Sequence, residues 1–295
     1  MTSGDLSIRL AWISDLHLDH LAVKDPGALG RLGPALDREG AQAVLIGGDI
    51  ADARGLEEGL RRLAERLGRP IYFVLGNHDY YFGSVDGVRA RASGLDIPGV
   101  VWLAGRSPVR LGGDTVLVGH GGWGDAHRGD LDDFVLLTDY AAIRDLADTI
   151  DPADFWINGF TKREALVAVL QRLGEEAARQ LAQALAAAGD CRNLLVLTHV
   201  TPFEATCTYR DRPGNDQVFP GFLWGAMTDP LLRFAESRGS TDILVLSGHT
   251  HQDARSTIRP NLRAWSFPAE YGRLHYRIVE AKEEGRWTVG GSVRV

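Results

Sequence analysis

Five short segments between residues 15 and 251 place metal-binding side chains where an apolar run ends. They are Asp15-Leu16-His17, Gly48-Asp49, Gly76-Asn77-His78-Asp79, Thr198-His199 and Gly248-His249-Thr250-His251. The runs before them read LAWIS, AVLIGG, IYFVLG, NLLVLT and ILVLSG. Continuous apolar runs of this kind suit strands buried on both faces, as in sheets covered by helices. Groups so far apart in sequence meet only if the strands lie side by side with their ends at one edge. That requirement constrains the fold more than any other feature of the chain, and it gathers the five segments into one site.

The rest of the pattern agrees. IRLAWIS, AQAVLIGG and IYFVLG read as strands. Between them, Pro26 to Arg38 carries Leu29, Leu32 and Leu36 on one face, and LEEGLRRLAERLG carries Leu56, Leu60, Leu63 and Leu67, with Gly68 placed as a C-cap. This β-α-β-α-β order predicts a parallel or mixed sheet. VVWLA, SPVRLGG and TVLVGHGG suggest a second sheet with antiparallel pairing. Lys162 to Ala188 is strongly helical, a weaker helix is expected over Tyr140 to Ala147, and Asp229 to Arg238 reads as another. The tail (LRAWSF, RLHYRIVEA, RWTVGGSVRV) reads as meandering antiparallel strands. Ligand-bearing strands come from both ends of the sequence and no linker or repeat is visible. The expectation is an α/β fold, two mixed β-sheets packed as a sandwich flanked by helices, in a single domain over 1–295. Segments 123–190 and 202–225 are expected as cap or loop insertions, since long irregular stretches in compact domains are usually functional.

Composition narrows the function. The chain has 295 residues, 44% hydrophobic and 24% charged, with a formal net charge of -7. An acidic balance disfavours gripping nucleic acid, which rests on a basic surface. Cys191 and Cys207 build no disulfide framework and no metal-type spacing, which points to a reducing compartment and buried small apolar roles. With no leader pattern at the N-terminus and no apolar stretch of membrane-spanning length, the expectation is a cytoplasmic protein that does not engage the membrane. Oligomeric state is open.

Asp15, His17, Asp49, Asn77, His199, His249 and His251 supply two carboxylates, one amide oxygen and four imidazoles. That mixture is too rich for one ion and suits two transition-type ions such as Mn, Fe, Zn or Co. Asp49 is the natural bridge, because the preceding Gly47-Gly48 lets the backbone turn tightly. Two ions roughly 3.5–4 Å apart clamp the attacking and leaving oxygens of a displacement at phosphorus. Each residue also has a bland reading: Asp15 as a turn cap, His199 as a half-buried hydrogen-bonded side chain.

The ordered set Asp-x-His, Gly-Asp-x-x-Asp, Gly-Asn-His-Asp, a single His and Gly-His-x-His resembles the calcineurin-like metallophosphoesterase superfamily. It covers Asp15 to His251. The resemblance implies that Asp15, His17 and His251 bind one ion, that Asp49 bridges, and that Asn77, His199 and His249 bind the other. It implies hydrolysis of phosphomonoesters or phosphodiesters by a metal-bridging hydroxide. His78 would face the small phosphorylated substrate and protonate the leaving oxygen, and Asp52 would accept a hydrogen bond from His78 and fix its tautomer. The serine/threonine phosphatases of the superfamily carry Asp-Arg-Gly and Gly-Asn-His-Glu. Here Asp52 is followed by Ala53-Arg54-Gly55 and Asp79 replaces the Glu, which argues against that branch. A phosphodiesterase for cyclic nucleotides or nucleotide conjugates is the alternative within enzymes, and a nuclease is disfavoured by charge. A non-catalytic interaction scaffold is the alternative of another class, and the completeness of the ligand set argues against it.

Further candidates lie around this set. His120 and Trp123, in GHGGWGD, are expected to line the pocket. Arg210 and Arg212 could clamp a phosphate, with a solvated loop as the other reading. Asp19, His20, His127, His275 and the basic face of RRLAERLGR read as surface or structural.

Overall fold

The computed structural model describes residues 8–112, 114–150, 163–282 and 286–295. Positions 151–162 of the expected 123–190 insertion, and the N-terminal seven residues read above for a leader, lie outside the described residues. Two mixed sheets pack face to face. The first contains β1 (Ile8–Ile13), β2 (Ala43–Ile46), β3 (Ile71–Phe73) and β4 (Val100–Trp102), all parallel. β13 (His275–Lys282) joins it antiparallel to β1, and β14 (Arg286–Val289) and β15 (Val293–Arg294) pair with β13. The second contains β6 (Thr115–His120), β7 (Asn193–Thr198), β10 (Asp242–Ser247) and β12 (Leu262–Ser266), parallel to one another. Its edges are β5 (Val109–Gly112) and β11 (Ala254–Arg259), both antiparallel. A small hairpin, β8 (Thr208–Tyr209) and β9 (Arg212–Pro213), stands apart.

The apolar runs are continuous because each central strand is buried twice. In β1, Leu10 and Trp12 point between the sheets while Ala11 and Ile13 face the helices. The same alternation holds in β7, with Leu195 and Leu197 inward and Leu194 and Val196 outward, and in β10, with Leu244 and Leu246 against Ile243 and Val245. Trp12 meets Phe267 across the sandwich, ring centroids 4.9 Å apart and edge-on. The helices follow the leucine spacing. Leu56–Leu67 buries Leu56, Leu60, Leu63 and Leu67, and Gly68 closes it at φ 57. Arg163–Ala187 buries Leu166, Leu170, Leu173, Leu181 and Leu185 along one stripe. Among the described residues no helix is long and apolar enough to cross a membrane.

Three expectations need correction. VVWLA does not open the second sheet: it is β4, the parallel edge of the first. The tail is not one meander either, because β11 and β12 complete the second sheet while β13 crosses back to pair with β1. Period-2 patterning sets which face a residue occupies, not which sheet a strand joins. The helix expected over Tyr140 to Ala147 is two four-residue turns, Asp139–Ala142 and Arg144–Ala147, broken where Ile143 turns extended (φ -97, ψ 122).

β1, β2, β3, β7 and β10 all end at one rim of the sandwich, and the five ligand-bearing segments leave from those carboxyl ends. This is the usual location for binding sites in parallel α/β sheets.

Candidate metal centre

The loops that leave these strands are bent sharply. Asp15 (φ 55), His17 (φ 40), Asp49 (φ 52), His249 (φ 68) and His251 (φ 57) all hold left-handed backbone, which side chains rarely adopt. Such conformations cost about 1–3 kcal/mol each and persist where the surroundings over-determine them, most often at functional sites. Two glycines make the close approach possible. A Cβ on Gly48 (φ 93) would meet Gly76 N and His199 Nδ1 at 2.7 Å, and one on Gly76 would strike Asp49 Oδ1 and lie 2.6 Å from Asp49 N. Asp79 ties the two loops together: fully buried, it accepts hydrogen bonds from Ile50 N (2.8 Å), Ala51 N (3.1 Å) and Gly76 N (2.8 Å). Burial pushes its carboxyl up to about 7, and those backbone donors oppose the shift.

Two donor clusters form, sharing Asp49. In the first, ligand atoms of Asp15, His17, Asp49 and His251 all lie within 4.8 Å of one another. His17 Nε2 is 3.4 Å from His251 Nε2 and 3.8 Å from Asp49 Oδ2, and His251 Nε2 is 3.2 Å from Asp15 Oδ1. Asp15 Oδ1 also accepts from His249 N at 3.0 Å, while Asp15 Oδ2 is buried without a hydrogen-bond partner among the described residues. In the second cluster, His199 Nε2 stands 2.8 Å from Asn77 Oδ1 and 3.4 Å from Asp49 Oδ1. Both side chains are oriented from behind. His199 Nδ1 donates to Gly47 O at 2.8 Å, and Asn77 Nδ2 donates to Asp139 Oδ1 at 2.8 Å. His249 completes the set, its Nε2 donating to Gly221 O at 3.0 Å, which leaves Nδ1 as the lone-pair nitrogen.

This arrangement fits two cations. With the Nδ1 proton committed to Gly47 O, His199 presents a lone pair to Asn77 Oδ1, itself an acceptor, at 2.8 Å. Two acceptors that close repel unless a positive charge lies between or beside them. The orphaned Asp15 Oδ2 has the same need. Electrostatics agree. Burial drives His17 down to about 2 and His199 to about 3, keeping both imidazoles neutral and ligand-competent. Burial also raises Asp15, but the adjoining His251 outweighs it and holds that carboxyl well below the usual range. Asp49 is pushed well up, by burial first and then by the charges of Asp15 and Asp79. Carboxylates crowded this way are stabilised by metal ions.

The other expected residues divide. His78, beside the clusters, donates its backbone N–H to Asp49 Oδ1 at 2.9 Å, and its ring nitrogen is 4.0 Å from Asp49 Oδ2. It borders an open cleft of about 450 Å³ that Asp52, Arg54, Tyr81, Phe82 and Ala142 also line. The expected Asp52–His78 hydrogen bond is not made. Asp52 Oδ2 is held by Arg54 Nε (3.0 Å) and Nη2 (2.5 Å), while Oδ1 accepts from Arg54 N and Gly55 N, both at 2.9 Å. His78 instead lies flat on Tyr81. His120 does not line the cleft: it is buried, it packs on Trp224, and its Nδ1 accepts from Gly122 N at 3.0 Å. Trp123 is buried against Tyr80 and walls a small cavity with Asn77 and His249. Arg210 and Arg212 sit on the β8–β9 hairpin, Arg210 over the ring of its neighbour Tyr209, and among the described residues no hydrogen bond or ion pair joins either to the donor clusters. Asp19 and His20 are exposed, as expected, and lie on the rim of the cleft. Asp139, Tyr81 and Tyr271 belong to none of the five ligand-bearing segments, yet Asp139 accepts from Asn77 and Tyr81, and Tyr271 packs on His17.

A family model described as calcineurin-like phosphoesterase matches residues 8–253. The chain belongs to that family. Membership makes it a phosphoester hydrolase of a family that uses dinuclear metal centres. No curated protein sequence matches the chain. Among solved structures, a phosphopantetheinyl hydrolase from Mycobacterium tuberculosis is 17% identical, with 89% of this chain and 90% of that one covered and a TM-score of 0.56. A dimetal phosphatase from Danio rerio is 16% identical, with 98% of each chain covered and a TM-score of 0.51. A purple acid phosphatase from yellow lupin is 11% identical, with 94% of this chain and 50% of that one covered, also at 0.51. At these identities the likeness shows the fold, the same sandwich found in the phosphoesterase family.

Proposed function

We propose that the chain hydrolyses small phosphorylated molecules at a dinuclear centre. Asp15, His17 and His251 would hold one ion, Asn77, His199 and His249 the other, with Asp49 between them. The imidazole and carboxylate donors suit Mn, Fe, Zn or Co. Bound there, the ions supply Lewis-acid charge and an acidified water. The single observation that carries the reading is the 2.8 Å approach of His199 Nε2 to Asn77 Oδ1 beside Asp49, a contact that calls for a cation.

The protein side chains do the remainder. Gly47 O and Asp139 fix the faces that His199 and Asn77 present. His78, between Asp49 and the cleft, hands a proton to the leaving oxygen, and the negative charge of a phosphate beside it favours its protonated form. The alcohol part extends along the cleft, whose wall sets Ala51, Phe82, Ala141 and Ala142 beside the polar Asp52, Arg54 and Thr138. The net charge of -7, and a cleft in which Arg54 is the one arginine or lysine among the described lining residues, favour a small molecule over a nucleic acid.

The test is a panel of p-nitrophenyl phosphate, its bis ester, alkyl monoesters and cyclic nucleotides, offered to protein loaded with Mn²⁺. Elemental analysis should give close to two ions per chain. A folded, metal-replete protein that cleaves none of the panel sinks the reading.

A further inference from the structure

Tyr271 lies on the loop between β12 and β13, and that loop is pinned. Ala269 N donates to His251 O at 3.3 Å, Arg273 N to Glu270 O at 3.0 Å, and Lys24 Nζ to Tyr271 O at 3.2 Å. Gly272 (φ 76) rests against the Lys24 side chain. The Tyr271 ring is therefore held over the first donor cluster, its centroid 4.4 Å from His17 and 5.0 Å from His251. Across the rim stands His78, with ring centroids 6.3 Å apart, and His17 lies between, 4.5 Å from His78.

The hydroxyl is the unexplained part. Tyr271 is 38% exposed and its phenol makes no hydrogen bond among the described residues. Its ring packs on His17 and His251 and stands 5.1 Å from His20, so the phenol lies beside the charged centre. An ordinary phenol keeps its proton at neutral pH, which makes it a ready donor. A phosphoryl group presented to ions in both clusters would lie beside His78 and Tyr271, which flank His17. His78 and Tyr81 border the cleft that takes the alcohol, and Tyr271 stands at its rim, edge-on to His20 with ring centroids 5.1 Å apart. With His78 assigned to the leaving oxygen, the oxygen left for Tyr271 is a non-bridging one.

We propose that Tyr271 is a substrate-contacting residue whose phenol donates a hydrogen bond to a non-bridging phosphoryl oxygen, opposite His78. This rests on reading the site as a phosphoester hydrolase centre. It is tested with Tyr271→Phe, which keeps the ring and removes the donor. Native and variant proteins, loaded with Mn²⁺, are compared on p-nitrophenyl phosphate and glycerol phosphate, with bound metal counted and orthophosphate binding measured by calorimetry.

The expected result is unchanged metal content and a loss of about 10- to 100-fold in kcat/KM, equal on both substrates, with orthophosphate binding weakened in step. A kcat/KM within about twofold of native on both esters overturns the proposal. So does a loss confined to the alkyl ester, which would make Tyr271 a proton donor to the leaving group, and so does a loss of metal. If the native protein cleaves neither ester, the functional reading fails by itself. Orthophosphate binding that is equal in the two proteins then overturns the Tyr271 contact separately.

Discussion

The imidazole of His78 stacks on the ring of Tyr81, centroids 4.2 Å apart with the planes 22° from parallel. The Tyr81 hydroxyl in turn donates to Asp139 Oδ1 at 2.6 Å, the same oxygen that receives Asn77 Nδ2. One buried carboxylate therefore sets both a candidate metal ligand and the platform beneath the candidate acid. It does so from a segment that carries no recognisable motif.

Removing that carboxylate separates the two ion sites. In Asp139→Ala the Asn77 amide loses the partner that aims Oδ1 at His199, while Asp15, His17 and His251 keep their contacts. Outer-shell partners of this kind are worth roughly 10- to 100-fold in metal affinity. A calorimetric titration of the metal-free variant should show one ion bound as in the native chain and the second weakened by that factor. Two unchanged affinities would remove Asp139 from this role.

Asp52 is expected to matter for folding more than for chemistry. Its oxygens are occupied by Arg54 and by the amides that lead into Leu56–Leu67, an arrangement resembling a helix cap. Arg54 and its hydrogen bonds hold the carboxyl below its ordinary value, although burial opposes them. Asp52→Ala should cost about 1 kcal/mol of stability, as loss of a cap does. The turnover of the folded variant should stay within about threefold of native, whereas loss of a catalytic orienting group costs far more. A 100-fold fall in kcat with unchanged melting would restore the His78–Asp52 pairing that the sequence suggests.

The strand ends and their seven ligand candidates were legible in the sequence because each follows a run buried on both faces, and such runs stop at the sheet edge. The leucine-striped helices were legible for the same kind of reason. Asp139 and Tyr81 were not, since residues that act through contacts across 58 or 62 positions leave no local spacing to detect, and Tyr271 meets His17 only in space. The Asp52–His78 hydrogen bond implied by the motif is not formed, because a motif fixes where a carboxylate lies but not which neighbour claims it. Here Arg54, two residues on, has taken it. His120 misled for a related reason: a His at the end of an apolar run can face the helices as easily as the rim.

Gly76 should tolerate no side chain. A methyl group there would press on the backbone nitrogen of Asp49 and on its buried carboxylate, which His78 N holds at 2.9 Å. Gly76→Ala is expected to lose bound metal and activity together, measured by elemental analysis and turnover. Gly68→Ala offers a contrast: its added Cβ meets nothing within 4 Å, and only the strain of φ 57 is felt. A Gly76→Ala protein that retains two ions would contradict the packing described for this loop.

Away from the metal centre, His127 gives the fold a pH dependence of defined sign. Its Nδ1 lies 3.3 Å from Asp125 Oδ2 and its Nε2 3.3 Å from Glu175 Oε1. The hydrogen bond to Asp125 is the main cause that raises its pKa to about 9, with burial opposing. Asp125 also accepts from Gly225 N and Ala226 N, at 3.0 and 2.8 Å, so the protonated imidazole sits on the carboxylate that starts helix Gly225–Ser237. A folded-state pKa above the unfolded value, about 6.5, means the contribution is whole below that pH and is lost as pH rises through about 9. The exposed side of His127 lets solvent screen the pair, so the effect should be modest. His127→Gln should lower the melting temperature at pH 6 and approach the native value at pH 10, with scanning calorimetry as the measurement. An equal deficit at both pH values would show that His127 contributes by packing and not through its charge.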